Sequence, residues 1–514
     1  MEKPISLTPP LIISSFVSVF SLSVVVGASN YIVSDLGGSL TITFYAFALF
    51  AIGNVLGVPL GRAFIAKTFD LKEKPVKYLL ISCILFFLFS ILCGCASNYP
   101  VFLIFRFFQG FWAGPMLSLQ QELCGPHLSQ EKQATFAKIT SILFTMGSVF
   151  SAPIGTWIAY ETHWRWLFFL NAPFMIYLIF FIKKRSDLYE APLKKEPFDF
   201  IGYIFYAVGI LSFSLSLMMG QYLDWFRSPC FATLFITGIL SFAFFCLWEF
   251  IHPLPLLGIK FLHRAGKHIY ILTLMTVFAI YFGANFLTSK WLHLDANYTP
   301  VWIVSLLVYS LSAALIFFFF IYRFFGKNNP RGMLLMSLIF SSAACFYATQ
   351  FDVTINFGRI LFVKILESIG LVLFFLPILK LSIQDVPQEN VGSILGVFHA
   401  VRTLFSGLGA IIFPTILQRR IPFYHERLGE QLTLLSPATD TFFTKTKDYF
   451  IEGKHATAQL SHALLEQSTT LGLEDVFYLM GYLFVSLIAL VILDWVYKWY
   501  SKKPLQTPQA FPSD

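Results

Sequence analysis

Three pairs of polar side chains stand one helical turn apart inside otherwise apolar runs: Arg106 with Gln109, Lys364 with Glu367, and His399 with Arg402. Residues at i and i+3 share a helix face, so each pair presents its two polar groups to one neighbour. A charge in hydrocarbon is costly and usually faces a bundle interior or a wet cavity, which marks a site of function. Glu367 has the chemistry to carry a proton within the membrane, with Lys364 one turn before it; the competing reading is a permanent ion pair that only neutralises two charges. Glu122, near the inner end of its run, is a second acid that can exchange a proton; the competing reading is a carboxylate simply solvated there. Arg106 and Gln109 would line a cavity and hold an anionic group, of a substrate or of a neighbouring carboxylate; the alternative is an arginine snorkelling to an interface. Arg402 and His399 would do the same on another run. Imidazole can relay a proton near neutral pH, or His399 is a hydrogen-bonded packing residue.

The elements that must hold these pairs are long apolar helices. Hydrophobic residues make up 57% of the 514-residue chain and charged residues 12%, against roughly 25% charged in soluble domains. This is the composition of an integral membrane protein. Fourteen apolar segments approach the length of about 20 residues that crosses a bilayer: 11–33, 42–64, 78–97, 101–123, 136–160, 164–183, 199–220, 228–248, 268–290, 300–322, 332–350, 356–381, 392–416 and 475–499. Small residues recur at four-residue spacing in several of them: Gly53, Gly57 and Gly61; Gly110 and Gly114; Gly147, Ser151 and Gly155; Gly392 and Gly396. Such ladders let helix backbones approach closely in lipid, as static packing or as sliding contacts.

The formal charge of +8 is spread in short basic runs between the spans, which excludes a nucleic-acid-binding patch and sets orientation instead. Lys67, Lys72, Lys74 and Lys77, then Lys183 to Lys195, Lys260 to Lys267, Arg323 to Arg331 and Lys498 to Lys503 lie in alternate connections. By the positive-inside rule and an even span count, both termini are cytoplasmic. Residues 417–474 form the one long connection, expected outside as a solvated helical cap with amphipathic stretches over Tyr424–Leu435 and Thr446–Leu465. Residues 501–514, with three prolines, read as a disordered tail. The seven cysteines, mostly within or beside spans, show no metal-ligand spacing. They read as packing residues, and neither metal nor cofactor is expected.

An internal repeat is legible. Arg106, Gln109, Gly110 and Pro115 are echoed by Lys364, Glu367, Ser368 and Pro377, and late prolines follow in the next spans, Pro153 and Pro414. A parallel repeat with the substrate site between its halves is how one class of secondary transporters is built. The division expected is a six-span bundle over 1–183, a linker with two additional spans over 184–267, and a second six-span bundle over 268–500.

On these residues the chain resembles the fourteen-span drug–proton antiporter branch of the major facilitator superfamily. Phe105–Pro115 is similar to the branch's R-x-x-Q-G-x-x-x-G-P in span 4, and His163–Pro173 to its W-R-W-x-F-x-x-N-x-P at the start of span 6. Arg402 matches its span-13 arginine. Departures are also visible. Gly57 to Arg62 keeps a glycine and an arginine of the loop after span 2 but has Gly61 where the acid is usual. Ser151, Pro153, Gly155 and Thr156 shift the proline of the span-5 antiporter signature by one, and span 1 lacks a central acid. The resemblance implies an all-α major facilitator fold of fourteen transmembrane helices, two six-helix bundles plus two extra central spans. It implies proton-coupled efflux of amphipathic or cationic small molecules across a bacterial inner membrane, in which a periplasmic adaptor takes part in some systems. A same-fold carrier of one metabolite is the alternative. A membrane-embedded transferase would need grouped acids and histidines in its long loop, whereas His425, His455 and His462 are scattered there. No nucleotide-binding loop of the G-x-x-x-x-G-K-[ST] type occurs.

Overall fold

The computed structural model describes residues 8–65, 75–124, 147, 151–184, 198–253, 256–257, 267–294, 296, 298–325, 329–384, 388–432, 436–448 and 454–501. Among these, every regular element is helical. The helices are α1 (Thr8–Asp35), α2 (Tyr45–Ile65), α3 (Pro75–Gly94), α4 (Tyr99–Cys124), α5 (151–161), α6 (Trp166–Lys184, with a break at Leu170), α7 (Phe200–Met219), α8 (Pro229–Ile251), α9 (His268–Leu294), α10 (Pro300–Phe325), α11 (Pro330–Ala348), α12 (Phe357–Ile383), α13 (Gln388–Gly429), a short α14 (Pro437–Asp448) and α15 (Lys454–Ser501). Twelve of them are long and apolar enough to cross a membrane. Helix α2 and the described part of α5 occupy the other two expected spans.

The two halves repeat their packing. Helix α4 packs on α1, α2 and α3, and α12 packs on α9, α10 and α11; α6 meets α1 and α3, as α15 meets α9 and α11. A Cβ on Gly27 of α1 would strike the Ala152 carbonyl of α5, and one on Gly155 the carbonyl of Val24. The second half has the same crossing at Gly409 of α13, against the Ala279 carbonyl of α9. The halves meet where α2 lies along α13 and α1 touches α9. The extra pair, α7 and α8, packs together and rests against α2 and α13.

The glycine ladders of α2 and α4 interlock. A side chain at Gly53 or Gly57 would hit the carbonyl of Phe107 or Phe111, and one at Gly110 or Gly114 that of Phe50 or Asn54. At Gly61 the nearest group is instead a side chain, the Ser118 hydroxyl. Backbones this close gain dispersion contacts that lipid tails cannot give. Outward faces carry exposed Ile, Leu and Phe, such as Phe180, Ile316 and Phe319, as expected of a surface solvated by lipid.

Two expectations are corrected. The connection 417–474 is largely a continuation of the spans themselves: α13 runs on to Gly429 and α15 starts at Lys454, with α14 between them. Hydropathy marks where lipid ends, not where a helix ends. The two extensions support each other through Arg420, whose guanidinium binds Asp475 (Nε to Oδ2 2.6 Å), and Tyr424, which donates to the same carboxylate at 2.8 Å. Part of the Thr446–Leu465 stretch, residues 449–453, lies outside the described residues. Cys95 and Cys230 are exposed rather than packed. The expected tail beyond Ser501 lies outside the described residues.

Candidate functional site

Arg106 is fully buried, at 0% exposure. Its Nη1 donates to Gln109 Oε1 at 2.6 Å, Nη2 to the Ser21 carbonyl of α1 at 3.0 Å, and Nε to the Ala46 carbonyl at the start of α2 at 3.3 Å. The Phe50 ring lies 4.5 Å from the guanidinium carbon. Planar donors aimed at fixed acceptors and an aromatic face are what make a guanidinium tolerable away from water. The arginine does not snorkel. It is not on the wall of the cavities described below; backbone carbonyls of two neighbouring helices take its donors.

Around it the span-6 motif becomes intelligible. Asn171 donates to Ser21 Oγ at 3.0 Å and Ser90 Oγ at 3.2 Å, steadying the turn of α1 whose carbonyl Arg106 holds. At the end of α1, Asp35 accepts from Trp164 Nε1 at 3.0 Å and Arg165 Nη1 at 2.8 Å. Both motifs thus tie α1 to α4 and α6.

The matching place in the second half is built differently. Lys364 Nζ meets Glu367 Oε2 at 2.7 Å. Asn285 of α9 joins both, donating from Nδ2 to Glu367 Oε1 at 2.9 Å and accepting from Lys364 at Oδ1 at 3.3 Å. This triad borders a cavity of about 20 Å³ between the halves, whose other wall is Ser23 and Val26 of α1 and Ala152 of α5. That is room for roughly one water. Behind the carboxylate a second cavity of about 30 Å³ is lined by apolar residues including Cys345, Val363, Phe477 and Phe484. Glu367 is on the wall of both. A third, of about 10 Å³, lies between α1 and α9 beside Tyr31, Asn30, Lys290 and His293.

His399 and Arg402 share a contact, Nη2 to Nδ1 at 3.0 Å, and both are buried in α13. The Arg402 guanidinium lies 5.8 Å from each of the Phe278 and Phe375 rings. Neither residue lines these three cavities. All three pairs expected from spacing are therefore in contact, and of these three pairs Lys364 and Glu367 are the one on the wall of the cavities described here. Glu122 and Arg62 belong to α4 and α2, and their side chains lie outside the described residues. Gly147, Pro153 and Gly155 are buried.

The residue that sequence reasoning passed over is Asn285. Its signal was available: an amide well inside an apolar span is itself expensive unless satisfied. It has no charged residue one turn away on its own helix to mark it.

The two halves touch at the end near Asp35. Gln418 Nε2 donates to the Thr41 carbonyl at 3.1 Å, Phe47 stacks on Phe282 with centroids 5.1 Å apart, and Tyr31 lies 5.8 Å from His293. A polar site between two repeated bundles that touch at one end is the layout of an alternating-access carrier.

The sequence model described as Major Facilitator Superfamily matches residues 11–410. The chain belongs to that superfamily. Among curated relatives of this family member, the multidrug export protein EmrB of Haemophilus influenzae is 24% identical over 98% of this chain and 96% of its own length. The fatty acid resistance protein FarB of Neisseria gonorrhoeae is also 24% identical, over 96% and 95%. Of solved structures, the POT family transporter PepTSo aligns with a TM-score of 0.57 at 14% identity, covering 95% of this chain and 98% of that one. This last likeness bears on the fold alone. The protein is a multi-pass membrane protein of a transporter family.

Proposed function

We propose that this chain is a proton-coupled efflux carrier of amphipathic small molecules, multidrug-type, working by alternating access, and not an enzyme. One observation carries the reading: a carboxylate, Glu367, sits on the wall of the space between the halves, held by Lys364 and Asn285. Protonating Glu367 removes the charge that balances Lys364 and one acceptor of the Asn285 amide. A ligand with a cationic or hydrogen-bonding group in the same space draws on the same two oxygens. Proton and ligand then compete, which is what exchange of one for the other requires. The apolar residues behind Glu367 and the rings of Tyr281 and Phe282 would face a hydrophobic body once the halves part. The names of the relatives, multidrug export and fatty acid resistance, support an amphipathic cargo.

Both termini are placed on the cytoplasmic side of a bacterial inner membrane, supported by the basic connections. The projection of α13, α14 and α15 then faces the periplasm, where an adaptor protein would meet it. The test is transport in proteoliposomes with an imposed pH gradient, using a panel of lipophilic cations, lipophilic anions and small metabolites. Movement of several unrelated amphipaths against the proton flow supports the reading. Movement of a single metabolite indifferent to the gradient contradicts it.

A further inference from the structure

Helix α2 contains Pro59, which has no N–H to give to the carbonyl four residues back, that of Val55. In lipid such a freed carbonyl must be satisfied by a neighbour. Here the neighbour is the extra pair of helices: Tyr206 of α7 donates its hydroxyl to the Val55 carbonyl at 2.9 Å. One turn earlier on the same face, Tyr203 donates to the next carbonyl, that of Leu56, at 3.2 Å. Further along, Tyr45 of α2 returns the contact by donating to the Met218 carbonyl of α7. Tyr206 is buried, as are Val55 and Leu56, so water has no part in the exchange. The same level of α2 faces a second proline. A Cβ on Gly57 would strike the Phe111 carbonyl, which is four residues before Pro115 of α4 and so also lacks its helical donor.

From this we infer that Tyr206 is a positioning residue for the Pro59 turn of α2, and that the extra pair is a strut holding α2 in the form that lies on α13. Two observations join in it. The hydroxyl reaches the one carbonyl that the proline releases, and α2 lies along α13 where the first half meets the second, with the turn just before α2 held to α13 through the Thr41 carbonyl and Gln418. Helix α7 itself also touches α13, so the strut lies beside the seam it holds. The inference rests on the alternating-access reading in that it makes α2–α13 a moving contact.

The experiment uses the full chain in a cysteine-free background carrying Thr41→Cys and Gln418→Cys, with the rate of oxidative cross-linking as the report of closure. Four versions are compared: wild type, Tyr206→Phe, Pro59→Ala, and the two together. The phenyl ring keeps the packing and removes only the hydroxyl. With the buried carbonyl left unsatisfied, Tyr206→Phe is expected to slow cross-linking by about five-fold or more, with abundance and elution profile unchanged. In the Pro59→Ala background residue 59 has its own N–H for Val55, and Tyr206→Phe is expected to change nothing. Tyr203→Phe, whose partner carbonyl keeps a donor at Leu60, serves as the weaker-effect control. The inference is overturned if Tyr206→Phe cross-links like wild type. It is equally overturned if the defect has the same size in the Pro59→Ala background, since the hydroxyl would then act elsewhere. Failure of the alternating-access reading shows separately, as wild-type cross-linking that does not respond to an imposed pH gradient.

Discussion

Asn285 on α9 donates to the carboxylate of Glu367 on α12 at 2.9 Å, and its other amide atom accepts from Lys364. One neutral side chain therefore holds both members of an ion pair across two helices. Asn285→Leu is expected to take one hydrogen-bond partner from each member of the Lys364–Glu367 pair, at about 1–3 kcal/mol, and to shift the pH dependence of transport. Asn285→Ser, which keeps a smaller polar group, should retain more activity. Thermal unfolding and a pH profile of transport check both. Transport by Asn285→Leu with an unaltered pH profile would count against the bridging role.

Arg106 is held by two carbonyls and an amide rather than by a ligand, which changes what its loss should do. Arg106→Ala is expected to abolish transport and also to lower the unfolding temperature by several degrees, since three acceptors each lose a charged donor. Arg106→Lys should not rescue it, because a single ammonium cannot reach acceptors on α1, α2 and α4 at once. A loss of transport with an unchanged melting temperature in Arg106→Ala would point back to a ligand-binding role.

Gly57→Ala is expected to be far more damaging than its chemistry suggests. The added methyl would occupy the position of the Phe111 carbonyl, a backbone atom that cannot swing aside. Gly396→Ala is the control, because nothing lies within 4 Å of the methyl it adds. Membrane abundance and size-exclusion profiles should separate the two, with the position 57 variant poorly folded and the position 396 variant like wild type.

Much of this was legible beforehand, for physical reasons. Polar pairs one turn apart stand out against hydrocarbon, and small-residue spacing marks where backbones touch, so α4 and its contact with α2 could be read from residues 53–61 and 105–115. The match of Lys364 and Glu367 to Arg106 and Gln109 was visible as a repeat. What spacing does not carry is which neighbour completes a group. That Arg106 is closed in by the carbonyls of Ser21 and Ala46, that Asn285 bridges the triad, and that Tyr206 reaches the carbonyl freed by Pro59 all depend on contacts distant in sequence. The ends of α13 and α15 were misplaced for a related reason: a polar helix supported by a partner helix looks like a loop to any measure of hydropathy.

The sidedness of the projection has its own test. A cysteine at position 436, introduced as Ser436→Cys after the exposed Cys95 and Cys230 are replaced, should react from outside intact cells with a membrane-impermeant thiol reagent. Labelling that requires broken membranes would reverse the topology proposed from the basic connections.

The central claim is that Glu367 couples proton movement to transport, and one variant in two assays addresses it. Glu367→Gln in proteoliposomes keeps the size of the side chain and removes its proton chemistry. The expected result is loss of transport driven by a pH gradient while substrate-for-substrate exchange across the membrane persists. If instead the double variant Lys364→Met with Glu367→Gln regains gradient-driven transport, the pair serves only to neutralise two buried charges, and the coupling role assigned to Glu367 is wrong.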